Sequence, residues 1–348
     1  RLLVLPRVVS ILATIAIAAA THSYWALVVG ILLQRAGAIG MGYVMHPYRP
    51  RLTLKAWRSL IGVSFWTWAI GVVTMLRDRA DSFVVTRTAG PAGFGAFAAA
   101  AEMAIVPTVE LGMALNRAAM SGFAEAGRRA RLEEEAAAFL RLLGGLAAVT
   151  LPAGLGLSLL ADPLVSIALG PRWTAAGPVI AVLGVASGIF ALGPLGSGWL
   201  QARAPLRILC AIVAVATLLR LVLLLCLTWR MGLTGAAIAV AAGMVLEALL
   251  AVGITVRRLG LHSAAVADVM VRPVLACLAM AMAVTWLASR GGSALVTVLL
   301  GVPLGVLAYG LALFLAWWAA GRPMGAEADL LAALSRALPR RQAPCGEP

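Results

Sequence analysis

The chain has 348 residues, of which 62% are apolar and only 12% are charged, and its formal net charge is +14. Soluble globular domains have roughly half apolar and about a quarter charged residues, so the composition excludes a soluble fold and predicts a protein of the bilayer. The positive charge does not indicate nucleic acid as a partner, because the Lys and Arg residues lie between apolar stretches rather than in one basic patch.

Ten apolar stretches approach or exceed the length of about 20 residues that a helix needs to cross a bilayer. They predict an all-α integral membrane protein, a polytopic bundle with about ten transmembrane helices. The first two stretches leave an alternative open, because residues 8–33 would also fit a single crossing, although the polar break at 21–25 favours two. In chain order the stretches cover residues 8–20, 24–45, 57–76 (extending to 88), 92–119, 136–160, 174–200, 207–227, 231–256, 264–287 and 293–320.

Basic residues are unevenly divided between the two sets of alternating loops. One set, which includes both ends of the chain, contains 20 of the 28 Lys and Arg residues, and the other contains 6. Cytoplasmic loops carry the basic excess in membrane proteins, so both ends of this chain are predicted to be cytoplasmic. Beyond residue 321 the chain becomes polar, and leucines at helical spacing in 326–338 predict an interfacial helix within a cytoplasmic tail.

Residues 55–117 form two apolar helices that are predicted to turn at Gly90-Pro91. At 1.5 Å per helical residue, Arg77 and Arg79 lie about 13 to 17 Å below the outer end of the first helix at Thr88, and Glu102, counted from Pro91, lies about 16 Å down the second helix. The matching depths predict that Arg77 or Arg79 pairs with Glu102.

Charged groups at such depth are costly in lipid and usually face a partner or a watery cavity. Two interpretations therefore remain open for these helices: the charges lock the pair together, or they line a cavity that receives a polar substrate. Because the charges outnumber those of a single buried pair, the cavity is favoured. Its candidate residues are Arg35, Arg77, Arg79, Asp81, Glu102 and Glu110.

Two further ionisable residues lie inside consecutive predicted spans. Arg220 and Glu247 fall within an arginine's reach in depth, which predicts a structural pair. The acidic run at 133–135 is predicted to be a solvated helix start. Glycines at 184, 188, 193, 196 and 198 predict close packing between helices.

The sequence indicates no enzyme site and no metal site. The four cysteines and three histidines have neither metal-ligand spacing nor an obvious pairing, and there is no nucleotide-binding glycine motif. We therefore expect no catalytic residue, no metal, no disulfide and no organic cofactor.

Short motifs follow one another along the chain up to about residue 259. They are HPYRPRL at 46–52, DSFVV at 81–85, GPAGFG at 90–95, AEMA at 101–104, LPAGLG at 151–156 and LGPRW at 169–173. In this order and spacing, they resemble the lipopolysaccharide and exopolysaccharide flippases of the multidrug, oligosaccharidyl-lipid and polysaccharide exporter superfamily.

The resemblance implies two six-helix bundles that face each other across a central cavity, with two additional helices at the C-terminus. On that plan the ten spans would be the fifth to the fourteenth, and the chain is expected to lack the first four helices. Residues 1–54 would end the N-terminal bundle, 55–262 would form the C-terminal bundle, 263–320 the additional pair and 321–348 the cytoplasmic tail.

The resemblance also implies a function. A polyprenyl-diphosphate-linked oligosaccharide would be moved across the bacterial inner membrane by alternating access, for lipopolysaccharide or exopolysaccharide biosynthesis, by a monomeric transporter surrounded by membrane lipids. Arginines at 35, 77 and 79 would suit the diphosphate. Asp81 and Glu102 would be candidates to carry a coupling H⁺ or Na⁺.

Two alternatives compete with this interpretation. A cation-coupled multidrug antiporter of the same superfamily would favour an acidic, aromatic cavity, whereas the arginines here favour an anionic cargo. A membrane enzyme acting on lipid-linked glycans would need a large periplasmic loop, and the outer loops here are short.

Overall fold

The computed structural model describes residues 4–21, 25–45, 57–126 and 132–320, and within these ranges it contains helices and short turns but no strand. The chain divides between residues 61 and 62 into two units. The predicted boundary at 54 and the predicted tail at 321–348 lie outside the described residues.

The described part of the first unit contains two helices and residues 57–61, which begin the next helix. The two helices are α1 (Val4–Thr21) and α2 (Trp25–Met45). The Ser10 hydroxyl donates a 2.7 Å hydrogen bond to the carbonyl of Gly30, which joins the two helices. Residues 8–33 therefore form two helices rather than the single crossing that was the alternative.

The second unit opens within α3 (Trp57–Ala126), a 70-residue helix that is interrupted at Gly90. Gly90 has a φ of 73°, a conformation that glycine adopts without the steric penalty of a side chain. Its first arm (residues 57–89) and second arm (residues 91–126) both contribute buried residues to one core. The predicted turn at Gly90-Pro91 is confirmed.

The rest of this unit contains seven further helices in the described ranges, with a 3₁₀ turn at Pro171–Ala176 between α5 and α6. The helix α8 is interrupted at Gly232, whose φ is 58°, so it too has a first arm (residues 206–231) and a second arm (residues 233–258). The seven are α4 (Leu132–Leu159), α5 (Ala161–Ala168), α6 (Gly177–Phe190), α7 (Gly193–Arg203), α8 (Leu206–Arg258), α9 (Ser263–Ser289) and α10 (Ala294–Ala319).

Six helical runs of the described chain are long and apolar enough to cross a membrane: α3, α4, residues 171–203, α8, α9 and α10. The helices α1 and α2 contain shorter apolar segments. Since α3 and α8 each turn at a glycine, each of them contains two of the predicted stretches. The prediction of an all-α, multi-pass membrane protein is confirmed.

One predicted span differs from the structure. Residues 174–200 were expected to form one helix, but the helix breaks between Phe190 and Gly193. Pro194 explains the break, because proline has no N–H to donate to the carbonyl four residues earlier. The short helix α5 was not predicted, since its eight residues are too few to give a clear apolar period.

The helices α4 and α6 cross with their backbones in contact. A Cβ atom placed on Gly154 would lie 2.4 Å from the carbonyl oxygen of Gly184 and 2.9 Å from the backbone of Gly188. Glycine is therefore required on both sides of this crossing, as expected where membrane helices approach closely. The prediction of close packing is confirmed for Gly184 and Gly188.

Candidate functional site

The first arm of α3 carries a buried carboxylate that a guanidinium of α8 binds on both oxygens. Arg220 donates from Nε to Oδ1 of Asp81 at 3.2 Å, and its Nη2 bonds Oδ2 of the same carboxylate. The exposed fractions of the two side chains are only 12% and 11%. This two-point geometry is the strong form of an arginine–carboxylate pair.

A second pair lies one helical turn away on α3. Arg77 donates from Nη1 to Oε2 of Glu247 at 2.9 Å, and its Nε lies 3.4 Å from Oδ1 of Asp78. The side chains of Arg77 and Glu247 are 17% and 22% exposed, so this pair is more accessible than the first. Arg77 and Asp81 are spaced i,i+4, which places both on the face of α3 that meets α8.

The two pairs correct two sequence predictions. Arg220 was expected to bind Glu247, and Arg77 or Arg79 was expected to bind Glu102. Instead Arg220 and Glu247 of α8 each bind a charged residue of α3. Counting along helices gives the depth of a residue but not which helix lies beside it, so residues at compatible depths received the wrong partners.

The two arms of α8 lie side by side because Gly243 leaves room for Arg220. A Cβ atom on Gly243 would lie 2.8 Å from Cβ and 3.1 Å from Cδ of Arg220. The aliphatic stem of the arginine therefore passes directly over the glycine backbone. This contact directs the guanidinium towards Asp81.

Other predicted site residues are not brought into these pairs. The side chains of Arg35, Arg79, Glu102 and Glu110 are exposed, and none takes part in an ion pair among the described residues. Arg35 belongs to the first unit and the other three to α3. Of the six candidate cavity residues, only Arg77 and Asp81 lie in the cluster with α8.

The sequence interpretation missed one ion pair near the predicted cytoplasmic side. Glu135, at the start of α4, is buried; it binds Nη2 of Arg203 and accepts a 3.4 Å hydrogen bond from Nε1 of Trp199. The expectation of a solvated acidic run holds for Glu133 and Glu134, which are exposed, and is wrong for Glu135. Arg203 and the acidic run both lie in the set of loops that the Lys and Arg count predicts to be cytoplasmic. This shared side was the signal available in the sequence.

The described helices form at least two cavities. One, of about 200 Å³, is lined by Glu247 and by residues at the break between α6 and α7. Another, of about 490 Å³, is formed by α4, α5, α9 and α10 and has an apolar wall. Its wall includes Tyr309, whose hydroxyl donates to the carbonyl of Ala148 at 2.8 Å. Among the described residues, no group of three His, Cys, Asp or Glu side chains is close enough to share a metal.

Long apolar helices and ionisable groups paired within them define a polytopic helical membrane protein. Residues 1–178 match the family described as polysaccharide biosynthesis protein, and the chain belongs to this family. The lipopolysaccharide biosynthesis protein WzxC of Escherichia coli (strain K12) is 26% identical over 153 residues, which cover 43% of this chain and 31% of that protein. The chain thus spans about a third of the length of this curated relative.

A solved structure supports the same relationship at the level of the fold. The lipid II flippase MurJ, in an inward closed conformation, superposes with a TM-score of 0.63 at 13% sequence identity, over 91% of this chain and 68% of that one. The relationship to polysaccharide biosynthesis proteins that the sequence motifs indicated is confirmed by the family match.

Proposed function

We propose that the complete protein containing this chain moves a polyprenyl-diphosphate-linked oligosaccharide across the bacterial inner membrane by alternating access. Membership of the polysaccharide biosynthesis family and the fold shared with a lipid II flippase support a lipid-linked glycan as the cargo. The excess of basic residues in one set of loops supports a cytoplasmic location for both ends of this chain. We further propose that it works as a monomer.

The exposure of the Arg79 side chain, far from the Gly90 turn, is the observation on which the proposed substrate depends. Arg79 lies eleven residues before the Gly90 turn, which is about 16 Å along the helix, and its side chain is exposed. Exposure of an arginine to lipid at that depth would cost at least about 3 kcal/mol. A position facing water and an anionic headgroup removes this cost, and a guanidinium binds phosphate through two parallel hydrogen bonds.

The other candidate residues take different roles in this proposal. Arg77 and Asp81 hold α3 against α8 and position the exposed face of α3, while Glu102 and Glu110 contribute polar groups to the path of the glycan. Arg35, on α2 of the first unit, is proposed separately as a cation for the diphosphate. A proton or a sodium ion supplies the driving force. Asp81 is the weaker candidate for binding that ion, because Arg220 occupies both of its oxygens.

The experiment measures translocation of the lipid-linked glycan in a strain that lacks the gene and is complemented with the complete protein. We expect Arg79→Ala to lower export at least about tenfold, since losing a two-point phosphate contact costs more than about 1.4 kcal/mol. Arg79→Lys should retain part of the activity. Normal export by Arg79→Ala at normal protein levels would refute the assignment.

Arg87 provides the matched control. It is an exposed arginine of the same arm, eight residues further on and about 80° around the helix, but only three residues from Gly90. This distance corresponds to about 4 to 5 Å, so Arg87 lies near the end of the helix rather than deep within it. Arg87→Ala should leave export unchanged, and equal losses at both positions would show that only surface charge matters.

The exposed carboxylates support a second candidate, a cation-coupled drug antiporter. Glu102 and Glu110 would attract a cationic cargo rather than a diphosphate. One comparison distinguishes the two functions. The double variant, Glu102→Gln together with Glu110→Gln, should abolish resistance to cationic drugs if the cargo is a drug. Under the flippase proposal, Arg79→Ala has the larger effect, and it is on glycan export.

A further inference from the structure

The cavity at the break between α6 and α7 has a carboxylate in its wall. Glu247 lines it, together with Phe190, Pro194 and Ser197, in a volume of about 200 Å³. A water molecule occupies about 30 Å³ in the liquid, so the cavity has room for several. A carboxylate and a hydroxyl are the polar groups that retain water in such a space.

The break itself adds polar backbone to this cavity. Pro194 has no N–H and cannot complete the helical bond to the carbonyl of Phe190, four residues earlier. The Ser197 hydroxyl donates to the carbonyl of Pro194 at 3.4 Å. Interrupted helices are tolerated at membrane depth where their backbone lines a cavity or contacts other protein groups.

A buried hydroxyl points to water independently of the cavity. Thr217 is 4% exposed, and its Oγ1 has no hydrogen-bond partner among the described residues. Arg220 of the first arm of α8 lies over Gly243 of the second arm. Thr217 is one turn before Arg220 and Glu247 is one turn after Gly243, so Thr217 and Glu247 lie at about the same level. Buried hydroxyls in proteins are nearly always hydrogen-bonded, and a water at this level would supply the missing partner.

The two buried carboxylates differ in how completely they are bound. Both oxygens of Asp81 accept bonds from Arg220, whereas Glu247 accepts one bond from Arg77, through Oε2. The charged groups that face Glu247 are Arg77 on α3 and, about one turn away, the pair of Asp81 with Arg220. No titratable residue of α6 or α7 lines the cavity in the described chain.

We infer that the cavity is a hydrated route by which a proton reaches Glu247, and that protonation of this carboxylate breaks one of the two ion pairs that join α3 to α8 during transport. A proton delivered by water forms an O–H bond on Glu247 and cancels its negative charge. The hydrogen bond from Arg77 then loses its ionic character, and Arg77 keeps Asp78 as its partner at 3.4 Å. Departure of the proton to water restores the pair.

A proton fits this site better than a sodium ion does. The guanidinium of Arg77 is 2.9 Å from the carboxylate and would repel any cation held there, whereas a bound proton becomes part of a neutral group. The contacts of Glu247 define the proton site, and its use in driving transport rests on the proposed flippase function.

The test is infrared difference spectroscopy of the complete protein in lipid vesicles, recorded as the pH is changed at constant sodium concentration. We expect a protonated-carboxyl band that disappears in Glu247→Gln and persists in the matched carboxylate variant Asp81→Asn. Ser197→Leu, which fills the cavity while keeping Glu247, should slow the deuterium shift of this band at least tenfold. It also serves as the test if Glu247→Gln does not fold.

Three results would overturn the inference: a band that survives Glu247→Gln, a band that is lost in Asp81→Asn, or a band that changes with sodium at fixed pH. A transport assay in the same vesicles separates this inference from the proposed function. A Glu247 band without movement of lipid-linked glycan would refute the flippase but keep the proton site. Glycan transport without that band, and without pH dependence, would refute the proton site but keep the flippase.

Discussion

The helices α4 and α6 meet through their backbones, whereas α3 and α8 meet through charges. At the first contact, glycines 154, 184 and 188 bring main-chain atoms together, and no side chain can adjust. At the second, four long or flexible side chains form two ion pairs that bridge the helices.

The difference separates a fixed contact from one that chemistry can change. A backbone contact depends on van der Waals packing, which neither pH nor a ligand alters at that point. An ion pair depends on the charge of both partners, and a proton or a phosphate changes that charge. Under the proposed transport mechanism, contacts of the second kind suit helices that shift against one another, and contacts of the first kind suit helices that stay together.

The largest effect is expected from Gly154→Ala. Its methyl group would lie 2.4 Å from the carbonyl oxygen of Gly184, so α4 and α6 must separate along their length. Overpacking of this kind costs about 3 kcal/mol, well above the gain of about 1 kcal/mol that alanine brings to a helix. The measurement is the melting temperature of the purified protein in detergent.

Gly156→Ala is the control, two residues further along α4. Its methyl would meet only the flexible end of Met280, at 3.9 Å. The melting temperature should therefore stay the same or rise. A similar fall in both variants would mean that the added methyl destabilises α4 regardless of its contact with α6, and that the crossing is not special.

An intermediate effect is expected from breaking the pair of Asp81 with Arg220. Either Asp81→Leu or Arg220→Met leaves a charge without its partner, which costs about 2 kcal/mol here because both side chains keep some exposure. The double variant removes both charges and should recover most of this stability. Unfolding free energies of the four proteins, measured under one set of detergent conditions, form the cycle.

A second cycle, at positions 220 and 247, distinguishes the observed pairing from the one that depth alone predicted. The interaction energy between positions 81 and 220 should exceed that between positions 220 and 247, because the latter two residues belong to different pairs. The opposite order would favour the pairing inferred from sequence. Additive effects at 81 and 220 would mean that this contact contributes no specific stability.

Much of this architecture could be predicted from sequence, because apolar length and glycine turns are local signals. The turn at Gly90 and the split of α8 near residue 230 follow from short polar interruptions of apolar stretches. The break before Gly193 was missed because it lies inside an uninterrupted apolar stretch, and Pro194 was its one local sign.

The site was predicted less completely than the fold, for a different reason. Arg77, Asp81, Arg220 and Glu247 were all identified as buried ionisable residues, yet the predicted partners were wrong. Sequence gives the height of a residue along its helix through the rise of 1.5 Å per residue. It gives no direct measure of which helices are neighbours, so any two opposite charges at one height are equally good candidates.

The smallest effect is expected from Gly243→Ala. This variant also tests whether the glycine positions Arg220 for its contact with Asp81. The added methyl would lie 2.8 Å from Cβ of Arg220 and would push the arginine stem away from Asp81. We expect a loss of about 1 kcal/mol in unfolding free energy, at the lower end of overpacking effects because the arginine stem can bend. Gly253→Ala, with no atom within 4 Å on the same arm of α8, should cost nothing.

The origin of that loss can be tested in a background where the pair is already broken. If Gly243 acts by guiding Arg220 onto its carboxylate, then Gly243→Ala should cost less in the Asp81→Leu protein, because the arginine there has no carboxylate to lose. An equal cost in both backgrounds would mean that the methyl only separates the two arms of α8. In that case the glycine would belong with the fixed contacts of the α4 and α6 kind, rather than with the adjustable contact between α3 and α8.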